Sequence, residues 1–416
     1  PVRHERREGP FRHPLEFDED MPVTEMDGAV AGAPGVLQIS LISETDTLKS
    51  PLLTADAEHD YAVKFKFDAL EPHTVYQVTV RAGSDPENMS AQLTGSFRTA
   101  PAPDQTASVL LTSASCQYFW DYDDPQRGFK IYDSMIKLNP DFFVQTGDFV
   151  YYDKPGPLAK TVAEARHCWH ANNAWPALVE FYRQVPLYLQ KDDHDMLMND
   201  CYPGIEPYGE LSFERALEIW DEQVPVIGKP YRTVRWGRDL QIWMVEGREF
   251  RSPNHIPDGP EKTIWGEEQK KWFIETVNAS DAAFKILFSP TPVVGPDRDK
   301  KADNHANRAF AHEGNWLRSF MADQGNMFVV NGDRHWQYVS VDAETGLYEF
   351  SQGPSSDSHA QGWGVNDKRP EHRFLRVAGG FLAVSVQRQE SVPTITFTHY
   401  DIEGEQTHQE LFRAAN

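Results

Sequence analysis

The sequence predicts an α/β protein in which β-sheets are flanked by helices, with a small all-β unit ahead of it. Three observations predict this. Beyond residue 106, apolar runs of strand length alternate with amphipathic stretches of helix length, the pattern of a layered α/β fold. Four of those runs end in Asp, His or Cys, as expected where strand ends open onto a ligand crevice. Before residue 103, short runs are separated only by turn residues, with no long helical stretch between them.

Taken in order, residues 1–34 read as an N-terminal arm, charged and Pro-containing over its first 20 residues and with little structure of its own. Strands are expected at 36–42, 61–67, 70–80 and 90–101, the third entered through a turn at Pro72 with Tyr76, Val78 and Val80 on one face. These place a β-sandwich at 35–103, and Leu70-Glu71-Pro72-His73-Thr74-Val75-Tyr76 is similar to fibronectin type III and immunoglobulin-like domains. The boundary is set at Pro101-Ala102-Pro103, and 104–416 forms the large domain. There, strands are expected at 107–112, 141–146, 187–190, 240–245, 284–288 and 327–331. Helices are expected at 126–138, 161–180 (interrupted at Pro176), 213–220, 267–277 and 315–324. Two further runs, 381–386 and 394–400, read as an antiparallel pair completing a sheet of the same domain.

With 40% apolar and 12% aromatic residues the chain is globular. Its formal charge of -23 disfavours nucleic acid and anionic lipid as partners, and an anionic substrate would need local positive groups or metal ions. No run of 18 apolar residues marks a transmembrane helix. The first residue is Pro1 rather than Met, as expected of a mature or trimmed product, so the lack of a visible leader has no weight. Three cysteines make no disulfide framework, and isolated thiols are expected in preference to a Cys168–Cys201 pair.

The chemistry concentrates at the strand ends. Asp148, in Gly147-Asp148-Phe149-Val150-Tyr151, is placed to ligate metal, since its two oxygens can bridge two cations. Tyr151 offers a hard phenolate oxygen suited to a trivalent ion, and Cys116 a thiolate. The run Asp192-Asp193-His194-Asp195 would repel itself without cations, so Asp193 is expected to be a ligand. His194 can be a ligand, a general acid or a donor to a transferring oxyanion, and one of the last two roles is expected. Asp333 and His335, two apart, can face the same way, with Arg334 pointing elsewhere. Arg248 and Arg251 suit a phosphate clamp. Asn199, His167, His170, His305 and Asn307 are weaker candidates.

Together with Ser115-Cys116-Gln117, Glu246-Gly247-Arg248-Glu249-Phe250-Arg251, Gly332-Asp333-Arg334-His335 and Gly379-Gly380-Phe381, these motifs resemble, in order and spacing, the PhoD-like alkaline phosphatase and phosphodiesterase branch of the calcineurin-like metallophosphoesterases. The resemblance implies a layered metallophosphoesterase sandwich that hydrolyses phosphate esters, with Fe3+ and one or more Ca2+ rather than Zn2+ or Mn2+. It implies Cys116, Asp148 and Tyr151 as iron ligands with His335 alongside, and Asp148 bridging to a Ca2+ site that includes Asp193 and Asp333. It also implies a periplasmic or extracellular protein. Phe149, Asp195, Glu246 and Arg334 depart from the family's usual Tyr, Glu, Asp and small residue, which bears on substrate preference. The alternatives are a non-catalytic metal- or ligand-binding extracellular protein on the same scaffold, and a glycosidase using an Asp pair, which would be insensitive to chelation. The choice of monoester or diester and the oligomeric state stay open.

Overall fold

The structure, a computed structural model, describes residues 12–414 together with Glu5, Arg6 and Glu8; the rest of the expected arm lies outside the described residues. The chain first forms β1 (Gly35–Ile42), β2 (Thr47–Lys49), β3 (Leu53–Ala55), β4 (Val75–Gly83) and β5 (Ala91–Arg98). These make one antiparallel sheet in the order β2-β1-β4-β5, with β3 also pairing on β1. The strand expected at 61–67 does not form. Asp60 and Tyr61 turn the backbone with φ of 54° and 58°, and Lys64 is drawn to the large domain, donating to the Val226 carbonyl at 3.3 Å and pairing with Asp221 at 3.1 Å. Lys64 thus meets the neighbouring domain, while Phe65 and Phe67 pack on each other at 4.8 Å between ring centres instead of entering a ladder.

The large domain continues through β6 (Val109–Ala114), α1 (Lys130–Ile136), β7 (Phe142–Gln145), α2 (Val162–Asn173), α3 (Pro176–Tyr182), β8 (Leu187–Leu189), α4 (Phe213–Gln223), β9 (Arg232–Trp236) and β10 (Leu240–Met244). Then come α5 (Gly266–Asn278), β11 (Phe284–Ser289), α6 (Ala311–Ala322), β12 (Met327–Asn331), β13 (Gln337–Val341), β14 (Tyr348–Gln352), β15 (His372–Arg376), β16 (Phe381–Gln389), β17 (Val392–Tyr400) and β18 (Gln406–Arg413). One sheet runs β18-β17-β16-β6-β7-β8 and the other β15-β13-β14-β12-β11-β10-β9. Local chemistry sets the helix starts. Thr161 and Glu164 form a reciprocal capping box on α2, Ser212 caps α4, and Pro176 opens α3.

The period of two sorts each strand between layers. Phe142 and Val144, Ile242 and Met244, Ile286 and Phe288, and Phe328 and Val330 fill the space between the two sheets. The residues between them face outward: Phe143 meets the helices α1 to α4, while Trp243, Leu287 and Val329 meet α5 and α6. The result is a four-layer helix–sheet–sheet–helix sandwich. Aromatic pairs join the sheets across the core, Phe142 on Trp236 at 4.4 Å and Phe350 on Phe397 at 4.0 Å between ring centres. The antiparallel β16–β17 pair, expected from the sequence, completes the first sheet beside β6.

Part of each sheet is parallel: β6, β7 and the edge strand β8 in one, β10, β11, β12 and β14 in the other. The carboxyl ends of both sets meet at one edge. There Gln190 Nε2 donates to the carbonyls of Val245 and Phe288 at 2.8 and 3.0 Å, and Gln352 Nε2 to Thr146 Oγ1 at 2.5 Å. The loops that leave those ends hold the chemistry.

Candidate metal centre

Three of those loops use an unusual backbone. Cys116, Asp148 and Asp333 all sit in the left-handed region, with φ of 55°, 57° and 61°. For residues with a Cβ this conformation costs roughly 1–2 kcal/mol each and clusters where function requires it. Gly147 (φ 101°) makes the turn before Asp148, and a Cβ there would stand 2.7 Å from the Asp192 Cβ. Gly332, before Asp333, lies against the Thr146 carbonyl, where a Cβ would come within 2.7 Å. Only glycine lets the two sheet ends approach this closely.

The turns aim their side chains inward. Ligand atoms of Cys116, Asp148 and His335 lie within 4.8 Å of one another; so do those of Asp148, Asp193 and His194, and those of Asp148, Asp192 and Asp333. Asp148 is common to all three groups. Its Oδ2 stands 3.5 Å from Cys116 Sγ and accepts a hydrogen bond from the Tyr151 hydroxyl at 3.1 Å. Asp195, by contrast, faces the backbone. Its carboxylate accepts from the amides of Asp148, Phe149, Val150 and Asp192 at 2.7 to 3.0 Å, which fixes the two ligand-bearing loops relative to each other.

The electrostatics call for cations. Burial, then Asp193, Asp195 and Asp333, push the Asp148 carboxyl up to about 8 against the pull of His194. Burial also raises Asp192 and Asp333. Burial and the Asp148 charge hold the Cys116 thiol and the Tyr151 phenol well above their usual ranges. Among the described residues Asp148 Oδ1 and Asp192 Oδ2 are buried without a hydrogen-bond partner. Unpartnered buried carboxylate oxygens are costly, and a bound cation inverts each of these shifts. The donor set therefore fits metal. The expected ligands Cys116, Asp193, Asp333 and His335 each fall in one of the three groups that share Asp148, with Asp193 and Asp333 in different ones, and Tyr151 touches Asp148.

His194 Nδ1 is 2.6 Å from Asp153 Oδ1. Burial opposes its charge, but Asp153, Asp193 and Asp148 outweigh this and push the ring up to about 10. Arg248 is fully enclosed, its Nε on Asp192 Oδ1 at 2.5 Å and its Nη2 3.5 Å from Asp193. Arg251 holds Asn254 at 2.5 Å. Among the described residues Nη1 and Nη2 of Arg248 and Nε and Nη1 of Arg251 lack hydrogen-bond partners. Arg334, expected to point elsewhere, reaches back to Asp333 at 2.8 Å while holding Asp297 at 2.9 Å, because a buried guanidinium needs carboxylates around it.

The weaker candidates are used otherwise. His305 bonds Glu313 at 3.0 Å, Asn307 caps a short turn, and His170 meets Asp60 at 2.5 Å. Burial, then His170, lowers His167 to about 4. The Asn199 backbone N–H donates to Asp153 at 2.9 Å. Cys116, Cys168 and Cys201 are all free and buried. Asp192, Asp153, Asp121 and His359 belong to the site or adjoin it without having been singled out from the sequence.

A sequence profile described as PhoD-like phosphatase matches residues 110–373, well over half of the chain and every one of these loops. The chain belongs to the PhoD-like phosphatase family. No curated protein sequence matches it. A solved structure of PhoD is similar over 93% of this chain and 85% of its own, at a TM-score of 0.75 and 16% identity. The purple acid phosphatase PPD1 from yellow lupin (Lupinus luteus) seeds is similar over 91% of this chain and 69% of its own, at 0.65 and 11% identity. At these identities the structural likeness concerns the fold. Membership of the PhoD-like family, with the clustered donors, makes the chain a metal-dependent phosphoesterase. Among the described residues no helix is long and apolar enough to cross a membrane.

The site's charge makes stability depend on both pH and metal. Folded Asp148 keeps its proton to about 8 and folded His194 to about 10, whereas the unfolded groups release theirs near ~3.9 and ~6.5. Above neutrality the unfolded state therefore binds fewer protons, and stability falls as pH rises. After chelation, Tm is expected to fall from about pH 7 to about pH 9, each group contributing about 1 kcal/mol per pH unit while it lies between its two pKa values. Metal-loaded protein should fall less, because Asp148 is then ionised throughout. A flat Tm in the chelated protein would contradict this electrostatic picture.

Proposed function

We propose that this PhoD-like protein is an exported phosphoric ester hydrolase acting on phosphomonoesters, phosphodiesters or both, with Fe3+ held by Cys116, Asp148, Tyr151 and His335. In this reading Ca2+ is held by Asp148, Asp193 and Asp333. The observation that carries it is the position of Asp148, whose carboxylate serves all three groups of ligand atoms. The ions would neutralise phosphoryl oxygens and acidify a water.

The chain's own groups supply the rest. His194, kept protonated by Asp153, donates to the departing oxygen. Arg251 Nε and Nη1 and Arg248 Nη1 have no hydrogen-bond partner among the described residues, and an incoming phosphate would accept from them. Arg248 also steadies Asp192 and Asp193. The unit at 35–103 serves as a positioning module ahead of the domain at 104–416. Its fibronectin III or immunoglobulin-like character is supported by the Tyr76 hydroxyl, which accepts from the Glu71 amide at 3.0 Å in the manner of a tyrosine corner.

Aryl monoesters and diesters assayed before and after chelation test the function. Hydrolysis lost on chelation and restored by iron with calcium is the expected result. Chelator-insensitive hydrolysis, or none from metal-loaded protein, would contradict it; the second outcome would return the binding-protein reading.

A further inference from the structure

Beyond the loops that bear the proposed ligands, one buried chain of polar contacts leads away from Tyr151. Its hydroxyl lies 3.0 Å from His359 Nε2. The other ring nitrogen, Nδ1, lies 2.6 Å from Asp121 Oδ2. Asp121 Oδ1 in turn accepts the Arg12 amide at 2.5 Å. Asp121 and His359 are both fully buried, so no bulk water competes for these bonds. The three groups come from distant parts of the sequence. Asp121 ends a short turn after β6, Tyr151 follows β7, and His359 closes a short turn after β14, in the opposite sheet. The N-terminal segment reinforces the arrangement, with Arg6 Nη1 donating to the Trp120 carbonyl at 2.6 Å. The His359 ring also lies 4.3 Å from that of His335, a member of one of the ligand groups.

A phenol has one rotatable C–O bond and a ring free to tilt. A metal ligand of this kind needs something that fixes where its oxygen points. We infer that Asp121 and His359 are positioning residues for Tyr151. The carboxylate orients the imidazole, and the imidazole holds the phenol oxygen against Asp148. Neither group needs to touch substrate. The N-terminal segment, through the Arg12 amide, makes the arrangement part of the fold. This inference rests on the reading of Tyr151 as an iron ligand.

The test uses the full chain loaded with Fe3+ and follows the visible phenolate-to-iron charge-transfer band together with iron affinity. Wild-type protein should show the band and Tyr151→Phe should lose it. Asp121→Asn and His359→Gln, both close in size to the residues they replace, should shift and weaken the band and bind iron about 10-fold more weakly. Their metal-free melting curves report folding, and if one variant does not fold the other decides. A band unchanged in position and intensity in the folded variant would overturn the positioning role while leaving Tyr151 as a ligand. Iron-loaded wild type without the band would overturn the ligand reading and this inference with it.

Discussion

Replacing Asp148 with Asn is expected to remove bound metal and lower kcat/KM by about 1,000-fold or more, the loss of several kcal/mol of charge stabilisation in the transition state. The effect should be the largest of any single substitution, because Asp148 is the one residue shared by all three groups of ligand atoms. The amide matches the carboxylate in size and can still accept the Tyr151 hydroxyl, so packing around the left-handed turn is preserved. Because the metal-free Asp148 carboxyl keeps its proton up to about 8, the neutral amide should leave the metal-free protein about as stable as wild type near neutrality and more stable above that pH. A variant with raised metal-free Tm and lost activity would separate the electrostatic role from a structural one. Wild-type metal content with retained activity would contradict the assignment.

His194→Asn is expected to lower kcat by about 100- to 10,000-fold, the usual contribution of a positioned proton donor. Metal content should change much less, since Cys116, Asp148, His335, Asp193 and Asp333 all remain. The loss should depend on the leaving group. An alkyl alkoxide needs a proton as it departs, whereas a nitrophenolate does not, so the alkyl ester should suffer more. Asp153→Asn gives a second view of the same group. Asp153 is the foremost of the charges that hold His194 protonated up to about 10. Its removal should move the alkaline limb of the pH–rate profile to lower pH, because the donor then loses its proton earlier. An equal loss for aryl and alkyl esters would point away from proton donation and toward stabilisation of a phosphoryl oxygen.

The layered fold was legible because its buried strands are short, nearly continuous apolar runs that alternate along the chain with amphipathic helical stretches. Phe142, Phe143 and Val144 are all apolar since each face of β7 meets a different core. The motifs after β6, β7, β8 and β12 were legible because a cysteine, an acid or a histidine recurs at strand ends. His359 was not. It follows β14, a strand whose apolar period is broken by the buried Glu349, which accepts the amides of Val293, Val294 and Gly295. Without that strand, His359 looks like one residue of a Ser-rich loop. Gly353-Pro354 after the strand was the available signal of another strand end. Asp192 stands in a run of acids where only a folded loop shows which carboxylates face inward. The segment 61–67 misled for the opposite reason. Its alternation is real, but Phe65 and Phe67 pack on each other and Lys64 pairs with Asp221 of the large domain, so no ladder forms. The contact of the N-terminal sheet with the end of α3 is likewise beyond any local pattern. There Arg183 Nε donates to the Thr94 carbonyl at 2.7 Å and the Ser96 amide to the Arg183 carbonyl at 2.7 Å, joining residues about 90 positions apart.

The most direct measurement is anomalous diffraction at the iron edge from crystals of the metal-loaded protein grown without chelator. The account predicts one iron peak enclosed by Cys116 Sγ, Asp148, Tyr151 and His335, with a non-iron peak beside Asp148 toward Asp193 and Asp333. Iron elsewhere on the chain, or a peak at Asp148 with Cys116 and Tyr151 turned away from it, would contradict the assignment of the centre.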